Sequence, residues 1–257
     1  VTARPEPVLR ILPDAAAVAA AAAAELAALA ARAVAERGRV VLALAGGSTP
    51  GALYRRLAEP PCRDALPWHR VELFWGDERM VPPGHPDSNY GMARAVLLEA
   101  VPVDPGRVHR IRGEDPPEQA AEDYERELAR VLGGAPGGPP PAFDLVLLGM
   151  GADGHTASLF PGSPALTERR RWVVAPPAAG PGPRRVSLGP RVLNRARELW
   201  VLVTGRDKAA TLAAALEGPR DPERLPVQLL APDAGRLVWL VDRAAAACLA
   251  RSRRTPA

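Results

Sequence analysis

Residues 143–161 read Phe-Asp-Leu-Val-Leu-Leu-Gly-Met-Gly-Ala-Asp-Gly-His-Thr-Ala-Ser-Leu-Phe-Pro. The first half is an apolar run with no polar alternation, which suits a strand buried on both faces of a parallel sheet. The second half is a glycine-loosened loop that presents Asp153 and His155. In open α/β sheets ligands bind beyond the carboxyl ends of the strands, so His155 stands where a catalytic group belongs. Asp153, two residues earlier, is spaced to fix the orientation and tautomer of the imidazole.

Outward from this stretch the same pattern recurs. Strands are expected at Val40–Ala45, Val71–Trp75, Val108–Ile111, Phe143–Met150, Trp172–Ala175, Arg185–Leu188, Leu199–Val203 and Leu237–Val241. Helices are expected at about 50–58, 88–99, 117–132, 190–196, 206–217 and 242–251, with loops at 133–141 and 176–183. Strands alternating with helices predict an α/β fold, a Rossmann-like, mostly parallel sheet flanked by helices on both faces. A chain of 257 residues, 47% hydrophobic, can bury one full core. A single domain over residues 1–257 is expected, with a frayed tail at about 251–257.

The alanine-rich segment 15–35 invites a signal-peptide reading, but Asp14, Glu25 and Glu36 argue against it. Alanine is the best helix former, and Leu26, Leu29, Ala30 and Ala33 make a helical stripe that Gly38 stops. No uncharged apolar run reaches the roughly 18 residues of a membrane span, so no membrane association and a cytoplasmic location are expected. The formal charge is +4, yet the arginines are scattered among acids instead of forming a stripe. No nucleic-acid partner is expected, and the positive balance suits a small anion. Cys62 and Cys248 lie in neither disulfide nor zinc spacing. His69, His85 and His109 have no partner spacing and are expected at the surface.

Two strand-to-helix turns and one strand entry could gather an anion. Gly46-Gly47-Ser48-Thr49-Pro50 puts Pro50 at a first helical position with Thr49 as the N-cap, leaving backbone N–H groups and a helix N-terminus for a phosphate. It is neither a Walker loop nor a nucleophile elbow, because no Gly-Lys-Ser/Thr follows and Pro50 replaces the second glycine. Thr204-Gly205-Arg206-Asp207-Lys208 brings the only lysine among 33 basic residues. Arg184 and Arg185 enter a strand nearby, and guanidinium and ammonium groups together suit a phosphoryl group. Between these turns, Asp77, Glu78 and Arg79 end a strand and Asn89 opens a helix. Arg79 is a candidate for holding an oxyanion, while Asp77, Glu78 and Asn89 either bind substrate or brace the loop. Gly149, Gly151 and Gly154 also match a dinucleotide fingerprint. Pro161-Gly162 leaves no room for its helix, and Trp172-Val173-Val174-Ala175 stands where its acidic ribose contact belongs.

Taken together, Gly46–Pro50, Asp77–Arg79 with Ser88-Asn89, Asp153–Pro161, Arg185, Leu193-Asn194 and Gly205–Lys208 resemble the 6-phosphogluconolactonase family. The resemblance runs in the family's order from about residue 40 to 242, and its specific part is Gly-x-Gly-x-Asp-Gly-His-Thr-Ala-Ser-Leu-Phe-Pro. Glucosamine-6-phosphate deaminases share the fold but carry a glutamate before the proline, where Phe160 stands here. An aldose–ketose conversion would lose that carboxylate, whereas lactone hydrolysis needs only a base, water and an oxyanion partner. Ser187-Leu188-Gly189-Pro190 and Pro226-Val227-Gln228 depart from the commoner pattern, near the sugar rim.

The resemblance implies hydrolysis of 6-phospho-D-glucono-1,5-lactone to 6-phospho-D-gluconate, without metal or other cofactor, by a monomer or a weak homo-oligomer. His155, Asp153 and Arg79 would be catalytic, with Gly46, Gly47, Ser48, Thr49, Arg185 and Lys208 around the phosphate. An ordinary imidazole, with a pKa of about 6.5, is mostly neutral near pH 7 and ready to take a proton. Two alternatives are a hexose-phosphate deaminase or isomerase, revealed by ammonia release, and a non-catalytic sugar-phosphate sensor, revealed by binding without turnover.

Overall fold

The computed structural model describes residues 6–178 and 180–250. In chain order its elements are β1 (Val8–Leu12), α1 (Ala15–Arg37), β2 (Val40–Leu44), α2 (Ser48–Leu57), α3 (Cys62–Ala65), β3 (Val71–Trp75), β4 (Asp77–Arg79) and α4 (Asn89–Ala93). They continue with α5 (Pro117–Leu132), β5 (Leu145–Gly149), β6 (Val173–Val174), β7 (Arg185–Leu188), α6 (Pro190–Leu193), β8 (Glu198–Val203), α7 (Ala209–Glu217) and β9 (Arg236–Asp242). Six strands form one all-parallel sheet in the order β1-β9-β8-β5-β2-β3. Every residue of β2, β3 and β8 is buried, so both faces of the sheet are covered, as their largely apolar runs require; the exceptions, Glu72 in β3 and Glu198 opening β8, are paired with Arg107 and His109 and with Arg236.

The chain runs from β2 outward to β3 and then returns to place β5 on the other side of β2. Loops leaving β2 and β5 therefore part in opposite directions, and a crevice opens at their carboxyl ends. This is where the Gly46–Pro50 and Gly149–His155 segments lie.

Several expectations need correction. Trp172–Ala175 and Arg185–Leu188 do not join the main sheet: β7 pairs antiparallel with β6 on one side and with β4 on the other, in a separate three-stranded sheet. The divergence begins at Gly76. Its N–H still donates to Leu44 O as a continuation of the β2–β3 ladder, but its carbonyl accepts from Leu188 N of the second sheet. Val108–Ile111 makes a single bridge, from Val108 to Leu73, instead of a strand. The helix expected at 88–99 is α4 followed by a π-helical turn, Arg94–Leu98. The 190–196 helix stops at Leu193, and in place of the 242–251 helix the described residues after β9 form a 3-10 turn, Ala245–Cys248. Strand β1, with Arg10 at its centre and an exposed edge, escapes the apolar-run criterion yet pairs with β9. The frayed tail at 251–257 lies outside the described residues.

Helix α1 carries Asp14 as N-cap, its carboxylate accepting from Ala17 N, and Gly38 at φ 73° as C-cap. An 18-residue window of this helix has a mean hydropathy of 1.6, so by length and composition alone it is apolar enough to cross a membrane. In the structure Val18, Ala22, Leu26, Leu29, Ala30 and Ala33 are buried, and the helix packs on α2 and β9. His109 is also not at the surface. It is 6% exposed, stacked on Phe74, with its ring nitrogens 3.0 Å from Glu72 and 2.7 Å from Glu127. Those partners are distant in sequence, which no spacing rule could detect.

Two buried tyrosines finish the strands that lead to the crevice. The Tyr54 hydroxyl accepts from Ala45 N and donates to Ala45 O, both at 2.8 Å, just past β2. Tyr124 does the same for Trp75, the last residue of β3, at 2.7 and 2.9 Å. Burial pushes both phenols far above the ordinary tyrosine range, so both hydroxyls keep the proton that they donate. Tyr54→Phe leaves the Ala45 amide and carbonyl buried without a partner, and stability should fall by about 1–3 kcal/mol in urea unfolding. A variant as stable as the wild type would show that these backbone groups find another partner.

Candidate active site

A cavity of about 260 Å³ opens at the carboxyl ends of β2, β5 and β8. It is lined by Gly46, Gly47, Ser48, Thr49, Asp77, Arg79, Asn89, His155, Arg185 and Lys208, and so gathers segments from across the whole chain. Two expected residues stand behind the wall: Asp153 holds His155, and Glu78 lies beneath Arg79.

The loop after β5 is tied into a compact knot. Gly151 N donates to His155 O, Thr156 Oγ1 to Gly149 O, and Leu159 N to Thr156 O. A side chain at Gly151 would put its Cβ 2.1 Å from His155 Nδ1 and 2.5 Å from Asp153 Oδ1, so only glycine lets this pair sit on the strand end. His155 Nδ1 lies 2.6 Å from Asp153 Oδ1, which also accepts the His155 backbone N–H at 3.1 Å. Partial burial pushes the Asp153 carboxyl up. The hydrogen bonds and charge of His155 outweigh this and leave it below its ordinary value. An ionised carboxylate only accepts, so Nδ1 carries the proton and Nε2 is left as the basic nitrogen.

The loop after β2 turns at Gly47, whose φ of 99° begins α2 one residue beyond it. Thr49 is therefore not the N-cap, as its place before Pro50 suggested. It lies inside the first turn, where Pro50 is tolerated because that N–H would be unpaired in any case. The Thr49 hydroxyl pairs instead with Thr204 Oγ1 at 2.7 Å, a link that passes over the end of β5. No side chain caps α2, so its N-terminus remains available to an anion. Lys208 lines the same side, with Nζ 3.1 Å from the exposed Asp207.

The opposite wall is braced from below. Glu78, 1% exposed, accepts the backbone N–H groups of Arg79, Asn89 and Tyr90 and the hydroxyl of Ser88. Burial raises its carboxyl, opposed by those three N–H groups, and neighbouring Asp77 adds to the rise. Glu78 is thus the anchor of α4. Asp77 accepts from Ser158 Oγ at 2.7 Å and from Asn89 Nδ2 at 3.3 Å. Asn89 packs so closely on Gly46 that a Cβ there would lie 1.7 Å from Asn89 Oδ1. Arg79 Nη1 donates to Asp87 O at 2.6 Å, which fixes the guanidinium at the cavity wall. Arg185 has Asp77 Oδ2 3.9 Å away. Burial and the charge of Arg79 lower its ordinary pKa, against the pull of Asp77. Its neighbour Arg184 does not reach the cavity and pairs with Glu118 at 2.6 Å.

Sequence reasoning did not single out Thr204, Gly151, Ala157 or Met150 as lining residues. For Thr204 a signal existed, since it directly follows a buried strand and precedes the Gly205–Lys208 turn. Ala157 had none: it adopts a φ of 47°, a region that alanine rarely visits.

Comparison with known proteins agrees with this architecture. Residues 13–239 match the family model described as "Glucosamine-6-phosphate isomerases/6-phosphogluconolactonase". A 6-phosphogluconolactonase of Synechocystis sp. is 43% identical over 83% of this chain and 86% of its own. One of Streptomyces coelicolor is 40% identical over 98% of both chains. The solved 6-phosphogluconolactonase of Trypanosoma brucei superposes with a TM-score of 0.84 at 32% identity, covering 95% of this chain and 99% of its own. A monomeric glucosamine-6-phosphate deaminase, at 22% identity and a TM-score of 0.77, shares the fold. With the model spanning most of its length and relatives this similar, the chain belongs to the glucosamine-6-phosphate isomerase/6-phosphogluconolactonase family.

Proposed function

We propose that the protein hydrolyses 6-phospho-D-glucono-1,5-lactone to 6-phospho-D-gluconate. The observation that carries this reading is a single cavity with an oriented His155–Asp153 pair at one strand end and an uncapped helix N-terminus, Lys208 and Arg185 around it. The relatives named for this activity, at 40–43% identity over most of the chain, support it. It takes the chain as one catalytic domain acting as a monomer or weak homo-oligomer in the cytoplasm on a small molecule, without metal or cofactor.

In the proposed mechanism Ser48, Thr49, Arg185 and Lys208 hold the phosphate, so that the far end of the sugar reaches His155. Nε2 takes a proton from water as the water oxygen attacks the lactone carbonyl. Arg79 and nearby backbone N–H groups stabilise the oxyanion that forms. Collapse of the tetrahedral intermediate breaks the bond to the ring oxygen, which takes the proton back from His155. The product acid then ionises. Phe160 in place of a carboxylate favours this reaction over proton transfer between neighbouring carbons, which needs a second acid–base group.

His155→Ala should lower kcat by about two orders of magnitude or more while substrate still binds. A coupled assay in EDTA, corrected for spontaneous hydrolysis, measures this, and unchanged turnover removes His155 from the mechanism. Lys208→Ala should raise KM for the phosphorylated lactone far more than for the unphosphorylated one. Equal losses on both would assign Lys208 elsewhere. The Asp153 carboxyl titrates lower in the fold than in the unfolded chain. Its stabilising effect is therefore present above the unfolded value, near 3.9, and is lost as pH falls through the folded one. Below about pH 4 the wild type should thus lose unfolding free energy more steeply than Asp153→Asn, as urea titrations at several pH values will read.

A further inference from the structure

Phe160 does not line the cavity, yet it touches two residues that do. Its ring centroid lies 4.7 Å from that of His155, with the planes tilted by 38°. The guanidinium carbon of Arg185 lies 5.5 Å from the same ring. We infer that Phe160 is a positioning residue whose ring sets the proposed base and the proposed phosphate-binding arginine at a fixed separation. The inference rests on the lactonase reading of the site.

The backbone on both sides of Phe160 is pinned independently of the two side chains that it supports. Upstream, Ser158 is fully buried, donates its hydroxyl to Asp77 Oδ2 at 2.7 Å, and donates its N–H to Ser187 Oγ at 3.2 Å. Downstream, Phe160 O accepts from Ser163 N at 3.1 Å, and Gly162 N donates to Glu223 O at 3.0 Å. The ring is therefore a shelf whose place is set by the fold.

Arg185 needs such a shelf. Among the described residues its nearest carboxylate oxygen, on Asp77, is beyond hydrogen-bond reach at 3.9 Å, and Arg79 repels it. A long side chain without a close acceptor explores many rotamers, whereas the negative face of an aromatic ring attracts a guanidinium and holds it in plane. His155 is fixed by Asp153 at one nitrogen only, which leaves rotation about that hydrogen bond to be restrained by contact with a ring. The substrate must meet Nε2 at its carbonyl and cations at its phosphate simultaneously. Small errors in the spacing between the two ends reach the reacting atoms directly.

The test compares Phe160→Leu, Phe160→Met, which keeps an apolar side chain of similar length without the ring, and Phe160→Tyr, which keeps the ring, each checked by thermal unfolding. With the phosphorylated lactone, kcat of the Leu and Met variants should fall about ten- to a hundredfold, the scale of a misplacement of up to about 1 Å. Inorganic phosphate should bind them about two- to fivefold more weakly, the scale of a lost guanidinium–ring contact. In an Arg185→Ala background the phosphate effect of removing the ring should disappear, and Phe160→Tyr should retain most of both functions. A folded Leu or Met variant with wild-type kcat and phosphate affinity overturns the inference, as does a phosphate effect that survives Arg185→Ala. A wild-type protein that binds phosphate but leaves the lactone at its spontaneous rate overturns the lactonase reading instead. The phosphate cycle then still decides whether Phe160 carries Arg185.

Discussion

A sheet buried on both faces can hold ionisable groups cheaply only beyond the ends of its strands, and that constraint organises this molecule. The interiors of β2, β3, β5 and β8 are almost wholly apolar, and the polar cluster collects where they stop. Backbone groups at those ends also lose their ladder partners. Tyr54 and Tyr124 supply substitutes from neighbouring helices, so the strand ends stay ordered up to the point where the loops begin. The cavity therefore rests on rigid edges, although its walls are made of loops.

Close packing at glycine carries that rigidity into the loops. At Gly46 and Gly151 a side chain would collide with Asn89 and with the His155–Asp153 pair. Each glycine thus marks a place where a polar side chain at the cavity lies directly against backbone. The small antiparallel sheet acts from the other side, since β4 and β7 bring Asp77 and Arg185 to the crevice in a register set by their own pairing.

The main sheet was legible because buried parallel strands write themselves as unbroken apolar runs. Residues 143–150 were the clearest case. The candidate site was legible in its placement only: Gly46–Thr49, Arg79, His155, Arg185 and Lys208 line one cavity beyond the strand ends. What escaped depended on long-range geometry. Strand β1 is short and interrupted by Arg10, so its identity comes from pairing with β9. The second sheet looks locally like more of the first, and only the hand-over at Gly76 separates them. His109 reads as a solitary surface histidine until Glu72 and Glu127 are folded around it. The N-cap of α2 moved from Thr49 to Gly47 because a hydroxyl that local rules assign to the helix is engaged by Thr204.

The near-total use of arginine has a chemical side as well. A guanidinium is always protonated and does not attack carbonyl carbon, whereas a free amine does. Lactones are acylating agents. This protein therefore offers such electrophiles side chains with a single primary amine, the Lys208 ε-amino group set in the cavity wall beside Asp207. Amine-directed reagents have a single side-chain target here, and it is an address inside the site.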